Sequence, residues 1–201
     1  MKDLTTTSYA ILSLLAVRSW TTYELAQQMD RSVGNMWPRA ASVVYEEPKR
    51  LQQRGLADSE RIYTGKRGST VYSITEAGRE ALARWMETPG AALSMEYEAL
   101  LKVAFADHGS LGALRDNLAA IRTQTDAEYA AAMARLQEYA ETGGPYPDRL
   151  PVIALALRYF IEQALAMRRW IEWAESATSE WTGVTVDDGA TIPGDAFLIP
   201  E

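Results

Sequence analysis

The chain has 201 residues, which allows one full domain or two small ones. Its 20 Lys and Arg against 27 Asp and Glu give a net charge of −7, a balance that argues against nucleic acid only if the charge is evenly spread. It is not: residues 1–88 carry 12 basic and 10 acidic side chains, and residues 89–201 carry 8 and 17.

A hydrophobic share of 47% matches an ordinary globular chain and excludes wholesale disorder. The absence of cysteine excludes disulfide scaffolds, thiolate zinc sites, iron–sulfur clusters and cysteine nucleophiles. Met1-Lys2-Asp3-Leu4-Thr5 lacks the apolar run of a signal peptide. No stretch of about 18 uncharged apolar residues is present, so the expectation is no membrane span and a cytoplasmic protein.

Residues 4–18 place apolar and small side chains at helical spacing over a wide face, which predicts a well-buried helix. Thr21-Thr22-Tyr23-Glu24 reads as a capping box that opens a second helix over 21–30. Residues 31–38, with Gly34-Asn35 and Trp37-Pro38, read as loop. A third helix is expected over 38–54, ended by Gly55. Val44, Pro48 and Leu51 form its inward stripe, and Arg39, Ser42, Tyr45, Lys49 and Gln53 the opposite one. After Gly55 the period changes to two. Two strand-like runs around Thr64-Gly65-Lys66-Arg67-Gly68 make a hairpin, and a fourth helix follows over 75–88.

Three helices and a hairpin compose a winged helix-turn-helix. Tyr23-Glu24-Leu25, Val44-Tyr45 leading into Lys49-Arg50-Leu51, Gly55-Leu56, and Tyr72-Ser73-Ile74-Thr75-Glu76-Ala77-Gly78 occur in that order. This ordered set resembles the PadR family of transcriptional regulators over residues 4–88. The family usually has Pro directly after the tyrosine, whereas Glu46 and Glu47 follow Tyr45 here and proline stands at Pro48. Pro48 cannot donate to the Val44 carbonyl, which predicts a kink or a late start of the regular helix. Both glutamates would repel phosphate wherever they faced a groove.

The resemblance implies a DNA-binding regulator, expected to be a repressor. A recognition helix lies in the major groove while phosphate contacts fix its register. The candidate DNA-binding residues are Tyr23, Arg39, Ser42, Tyr45 and Lys49, with Lys66 and Arg67 at the wing tip. Regulators of this type often respond to small aromatic ligands, and Trp20, Trp37, Trp85, Trp170 and Trp173 are candidate pocket residues, although tryptophan at helical spacing is more often core. The alternative is a winged-helix module that binds protein without an operator.

Residues 89–95 read as a linker, followed by a helix over 95–107 and a long helix over 110–142 capped by Ser110. A last helix is expected over 150–181. Ile153, Leu157, Phe160, Ala164, Met167 and Ile171 recur along it as a heptad seam, with a second set beside it: Leu155, Tyr159, Leu165, Trp170 and Trp173. So wide an apolar face predicts a homodimer with the heptad seam at its interface, the alternative being packing only against its own chain, and a two-fold dimer predicts a palindromic operator. The fold class is therefore mainly α with a small β-hairpin wing. The division is 1–88 for the winged helix-turn-helix, 89–181 for a helical dimerisation region and 182–201 for an irregular tail.

No enzyme is expected. His108 is the only histidine, and no Walker loop, dinucleotide glycine pattern or HExxH motif occurs, so neither cofactor nor metal is called for.

Overall fold

The structure, a computed structural model, describes residues 3–34, 36–37, 40–64 and 67–198. The chain divides into two compact units, Met1–Leu93 and Ser94–Glu201.

In the first unit, α1 (Thr6–Val17) is opened by Thr5, whose hydroxyl accepts from the Ser8 amide at 3.2 Å while Ser8 Oγ accepts from the Thr5 amide at 3.0 Å. Such reciprocal caps satisfy amides that the first helical turn leaves without partners. The predicted box at Thr21 and Glu24 opens α2 (Thr22–Gln28) in the same way, with contacts of 3.2 and 2.8 Å. The Thr21 backbone amide, donating to Glu24, holds that carboxyl below its usual range. A wider π turn, Met29–Val33, continues α2 into the segment read as loop.

The third helix, α3 (Ala41–Gln53), runs unbroken through Pro48. The late start that Pro48 suggested is not what forms, because helical residues precede Val44 by nearly a full turn. Gly55, at φ +71°, then turns the chain through a left-handed conformation that suits glycine.

The sheet has three strands rather than the two of a bare hairpin. β1 (Trp20–Thr21), β2 (Ala57–Thr64) and β3 (Arg67–Ile74) stand in the order β1-β3-β2. The hairpin register runs from Ala57 opposite Ile74 to Thr64 opposite Arg67, and Trp20 pairs with Tyr72. Thr75 caps α4 (Glu76–Met86) by accepting from the Gly78 amide at 3.1 Å, and its hydroxyl donates to the Gly55 carbonyl at 2.7 Å. Ile11, Leu12, Leu15, Leu25, Val44 and Leu51 are buried in this unit. Each contributes on the order of 1.5–3 kcal/mol by leaving water.

The second unit holds α5 (Glu98–Ala104), α6 (Leu111–Thr142) and α7 (Leu150–Thr178), joined by short 3-10 turns. The two long helices pack as an antiparallel pair. Leu114, Leu118 and Ile121 of α6 meet Ile171 and Ala174 of α7 in one buried cluster. Arg115 donates to the carbonyls of Thr178, Ser179 and Trp181, closing the free end of α7. Arg122 chelates Glu175, holding that carboxyl below its usual range, and Arg168 faces Asp126 at 2.9 Å. The tail is ordered back onto α7, where Trp173 Nε1 donates to Asp195 Oδ1 at 3.0 Å.

Within one chain the heptad seam is divided. Ile171 is fully buried, Leu157 and Ala164 are buried, and Ile153, Phe160 and Met167 are half-buried. Beside it Leu155, which is 74% exposed, Tyr159 and Val152 stay open, whereas Leu165 and Trp170 of the second set are half-buried.

The helical segment Pro147–Thr178 contains an 18-residue window of mean hydropathy 1.4, enough by length and composition alone to cross a membrane. Its apolar stretch nevertheless carries Arg158 paired with Glu162 at 2.6 Å, and ionised groups near a bilayer centre are costly.

Gly78 is where α4 crosses the strand end most closely. A Cβ there would stand 2.1 Å from the Leu56 carbonyl oxygen and 2.8 Å from Ile74 Cγ1. Because backbone cannot yield as a side chain does, Gly78→Ala is expected to destabilise the first unit by about 2–3 kcal/mol, read as a lower urea midpoint by circular dichroism.

Candidate nucleic-acid interface

The two faces of α3 are set by what each side chain can bury. Val44, Pro48 and Leu51 point inward as read from the sequence, and Glu47 joins them at 7% exposure. A buried carboxylate requires hydrogen-bond partners. Ser8 Oγ of α1 donates to Glu47 Oε1 at 2.5 Å, and Arg50 Nη1 lies 3.5 Å from Oε2. Of the two glutamates expected to oppose phosphate, Glu47 is therefore turned away and engaged in the core.

Glu46 points the other way. Ser42, Tyr45, Glu46 and Lys49 are all exposed on one face of α3. Lys49 Nζ donates to Glu46 Oε1 at 2.7 Å, with the two side chains 53% and 56% exposed. That hydrogen bond holds the Glu46 carboxyl below its usual range and lifts the Lys49 ammonium above its own. Glu46 was read from the sequence only as a group that would repel phosphate, not as a candidate DNA-binding residue. Its place one residue beyond Tyr45 on the outward stripe was the signal available.

Tyr23 stands exposed on α2, where its hydroxyl accepts from Gln27 Nε2 at 3.0 Å. Arg39 and Lys66 lie outside the described residues, as does the side chain of Arg67, whose backbone opens β3 opposite Thr64. The face that is described thus joins Ser42, Tyr45, Glu46 and Lys49 on α3. It presents hydroxyls, a carboxylate and an ammonium, groups that can both donate to and accept from base edges.

The tryptophans have separate structural occupations. Trp20 is buried and donates to the Leu14 carbonyl at 2.7 Å, and Trp37 donates to Thr7 at 3.1 Å. Trp85 stacks on Tyr9 with ring centroids 4.7 Å apart, and Trp170 packs on the α6/α7 cluster. A cleft of about 370 Å³ in the second unit is lined instead by Leu101, Lys102, Phe105, His108 and Asn117 among others. His108 is exposed at its rim, 4.0 Å from Asp107. No group of His and carboxylate side chains able to hold a metal occurs among the described residues.

Fold and outward face together define a winged-helix transcription factor with a helical C-terminal half. Residues 11–84 match the PadR-like family of transcriptional regulators, while residues 97–179 match the C-terminal region described for virulence activator alpha. It is 28% identical over 127 residues to the Mycobacterium tuberculosis protein named "Probable transcriptional regulator Rv1176c", covering 58% of this chain and 67% of that one. Among solved structures, Bacillus subtilis PadR in complex with operator DNA is similar at a TM-score of 0.75 and 19% identity, over 87% of this chain and 99% of that one. The Vibrio cholerae virulence activator AphA is similar at 0.55 and 23%, over 86% and 96%. The protein is a transcriptional regulator and not an enzyme.

The Ser8–Glu47 contact is expected to anchor the orientation of α3. Glu47→Ala removes the buried acceptor and should cost about 1–3 kcal/mol in urea unfolding, whereas Glu47→Gln retains an acceptor for Ser8 and should cost less.

Proposed function

We propose that the chain binds duplex DNA sequence-specifically as a homodimer, lays α3 of each copy in the major groove of a palindromic operator, and represses transcription from the cytoplasm. The observation that carries this reading is the division of α3. Val44, Glu47, Pro48 and Leu51 anchor one side, and Ser42, Tyr45 and Lys49 are left exposed on the other. Bacillus subtilis PadR, solved with operator DNA, has the same fold. Tyr23 on α2, with Arg39, Lys66 and Arg67, supplies the phosphate-binding side chains around that helix.

The open stripe of α7 supports the dimer. Val152, Leu155 and Tyr159 lie exposed, flanked by half-buried Ile153, Phe160 and Met167. A second copy of α7 would cover such a stripe. The alternative cover, lipid, meets the Arg158–Glu162 ion pair in the same stretch. A small aromatic ligand that relieves repression is part of the proposal, because the same fold is solved with p-coumaric acid in Bacillus subtilis PadR.

Selection from genomic fragments with purified protein tests the class: enrichment of one palindrome is expected. No enrichment at low salt would instead favour a module that binds protein. On the selected duplex, Lys66→Ala with Arg67→Ala should weaken binding and flatten the plot of log affinity against log salt by about one unit for each phosphate no longer neutralised. An unchanged slope would remove the wing from the interface. In the same anisotropy assay, p-coumaric acid should lower operator affinity if phenolic acids are the effector class.

For the dimer, light scattering at low micromolar concentration should give twice the chain mass. Leu155→Ser with Tyr159→Ser should return it to one chain mass without loss of helicity, since both residues are exposed in the single chain.

A further inference from the structure

We propose that Glu46 and Lys49 act together as a base-pair reader, with Glu46 accepting a hydrogen bond from the amino group of a cytosine and Lys49 donating to the guanine paired with it. The inference rests on the DNA-binding reading above and assigns that interface a specific preference.

Glu46 and Lys49 lie one helical turn apart on the outward face of α3, and their charged ends meet at 2.7 Å. The major-groove edge of a C·G pair presents the cytosine N4 donor beside the guanine O6 and N7 acceptors. A carboxylate and an ammonium held side by side are the complement of that edge. Guanine or thymine at the cytosine position would set an acceptor against the carboxylate, so the pair rejects as well as selects.

A lone carboxylate on this face would meet the phosphate field unscreened. Lys49 supplies the compensating charge within the same turn, so the two residues together bring no net charge to the groove. Glu47 cannot serve in this way, because its carboxylate is buried against Ser8. Ser42 and Tyr45 carry hydroxyls that both donate and accept, and so discriminate less sharply between bases. Since the pair is satisfied internally before DNA arrives, exchanging that contact for base contacts adds little affinity. What it adds is a penalty for the wrong base.

The experiment measures binding of wild type, Glu46→Ala and Glu46→Gln to the duplex selected by the wild-type protein, and to duplexes with each half-site C·G pair replaced in turn. For wild type, one symmetric pair of positions should stand out, where replacing C·G with G·C or T·A weakens binding about tenfold or more. Glu46→Ala should bind the original and replaced duplexes within about a factor of two of each other. Glu46→Gln should shift the preferred base toward adenine, whose N6 and N7 an amide can engage together. Uniformly tighter binding of Glu46→Ala to every duplex, with all base preferences kept, would overturn the inference and leave Glu46 as a simple brake on affinity. That result would leave the DNA-binding reading intact. Failure of the wild-type protein to select any duplex would overturn both.

Discussion

The orientation of α3 depends on one buried contact, the hydrogen bond from Ser8 Oγ to the Glu47 carboxylate at 2.5 Å. An apolar residue at that position would bury as well, but it would not specify rotation. A carboxylate in the core is tolerated only where its acceptors are engaged, so α3 has one favourable setting against α1. That setting determines which side chains remain outside. With Glu47 inward, Tyr45, Glu46 and Lys49 are exposed together, and the proposed reading face follows from the core rather than from the surface.

Much of this arrangement was legible in the residues. The Thr21–Glu24 box, the hairpin around Gly65 and Gly68, the stop at Gly55 and the long helices of the second half all have local chemical causes, and local causes survive without knowledge of tertiary partners. The inward stripe of Val44, Pro48 and Leu51 was legible by spacing. Glu47 was not, because polarity assigns a carboxylate to the outside unless its partner is known, and Ser8 is 39 positions away. The third strand escapes sequence reasoning for a different reason. Trp20–Thr21 is two residues long and has no period to detect.

The two apolar stripes of α7 show the limit of periodicity most clearly. Both recur at helical spacing, and either could face α6. Spacing assigns the seam from Ile153 to Ile171 to a second chain, but Leu157, Ala164 and Ile171 are buried by the chain's own packing, while Ile153, Phe160 and Met167 are half-buried. The reason lies on α6. Leu114, Leu118 and Ile121 offer branched side chains to Ile171 and Ala174, while Arg122 and Arg168 form ion pairs across the two helices that fix which stripe turns inward. The two cross-helix pairs join residues 53 and 42 positions apart and leave no signal in either helix alone. The apolar face is wider than one partner helix needs, as its periodicity indicates. What periodicity cannot decide is which half of it stays open.

These constraints also change the meaning of the acidic balance. Of the 10 acidic side chains in residues 1–88, Glu24 is engaged in a helix cap, Glu47 in the core and Glu46 with Lys49. Three negative charges are thus committed to neighbours before any polyanion approaches, and each also engages a cation: Arg18, Arg50 and Lys49 respectively. The commitment is unequal, however. Lys49 is held by Glu46, so its charge is screened until a guanine edge or another acceptor competes for it. In the proposed complex, non-specific attraction would fall mainly on cations that have no such partner, while the α3 face would contribute chiefly to discrimination. Such a reader would have weak affinity for arbitrary duplex from one copy, and the proposed second copy, joined through α7, would supply the rest by making the second contact intramolecular. On that proposal the exposed stripe of α7 and the self-satisfied pair on α3 are parts of one design, in which affinity comes from assembly and selectivity from a helix face with almost no net charge.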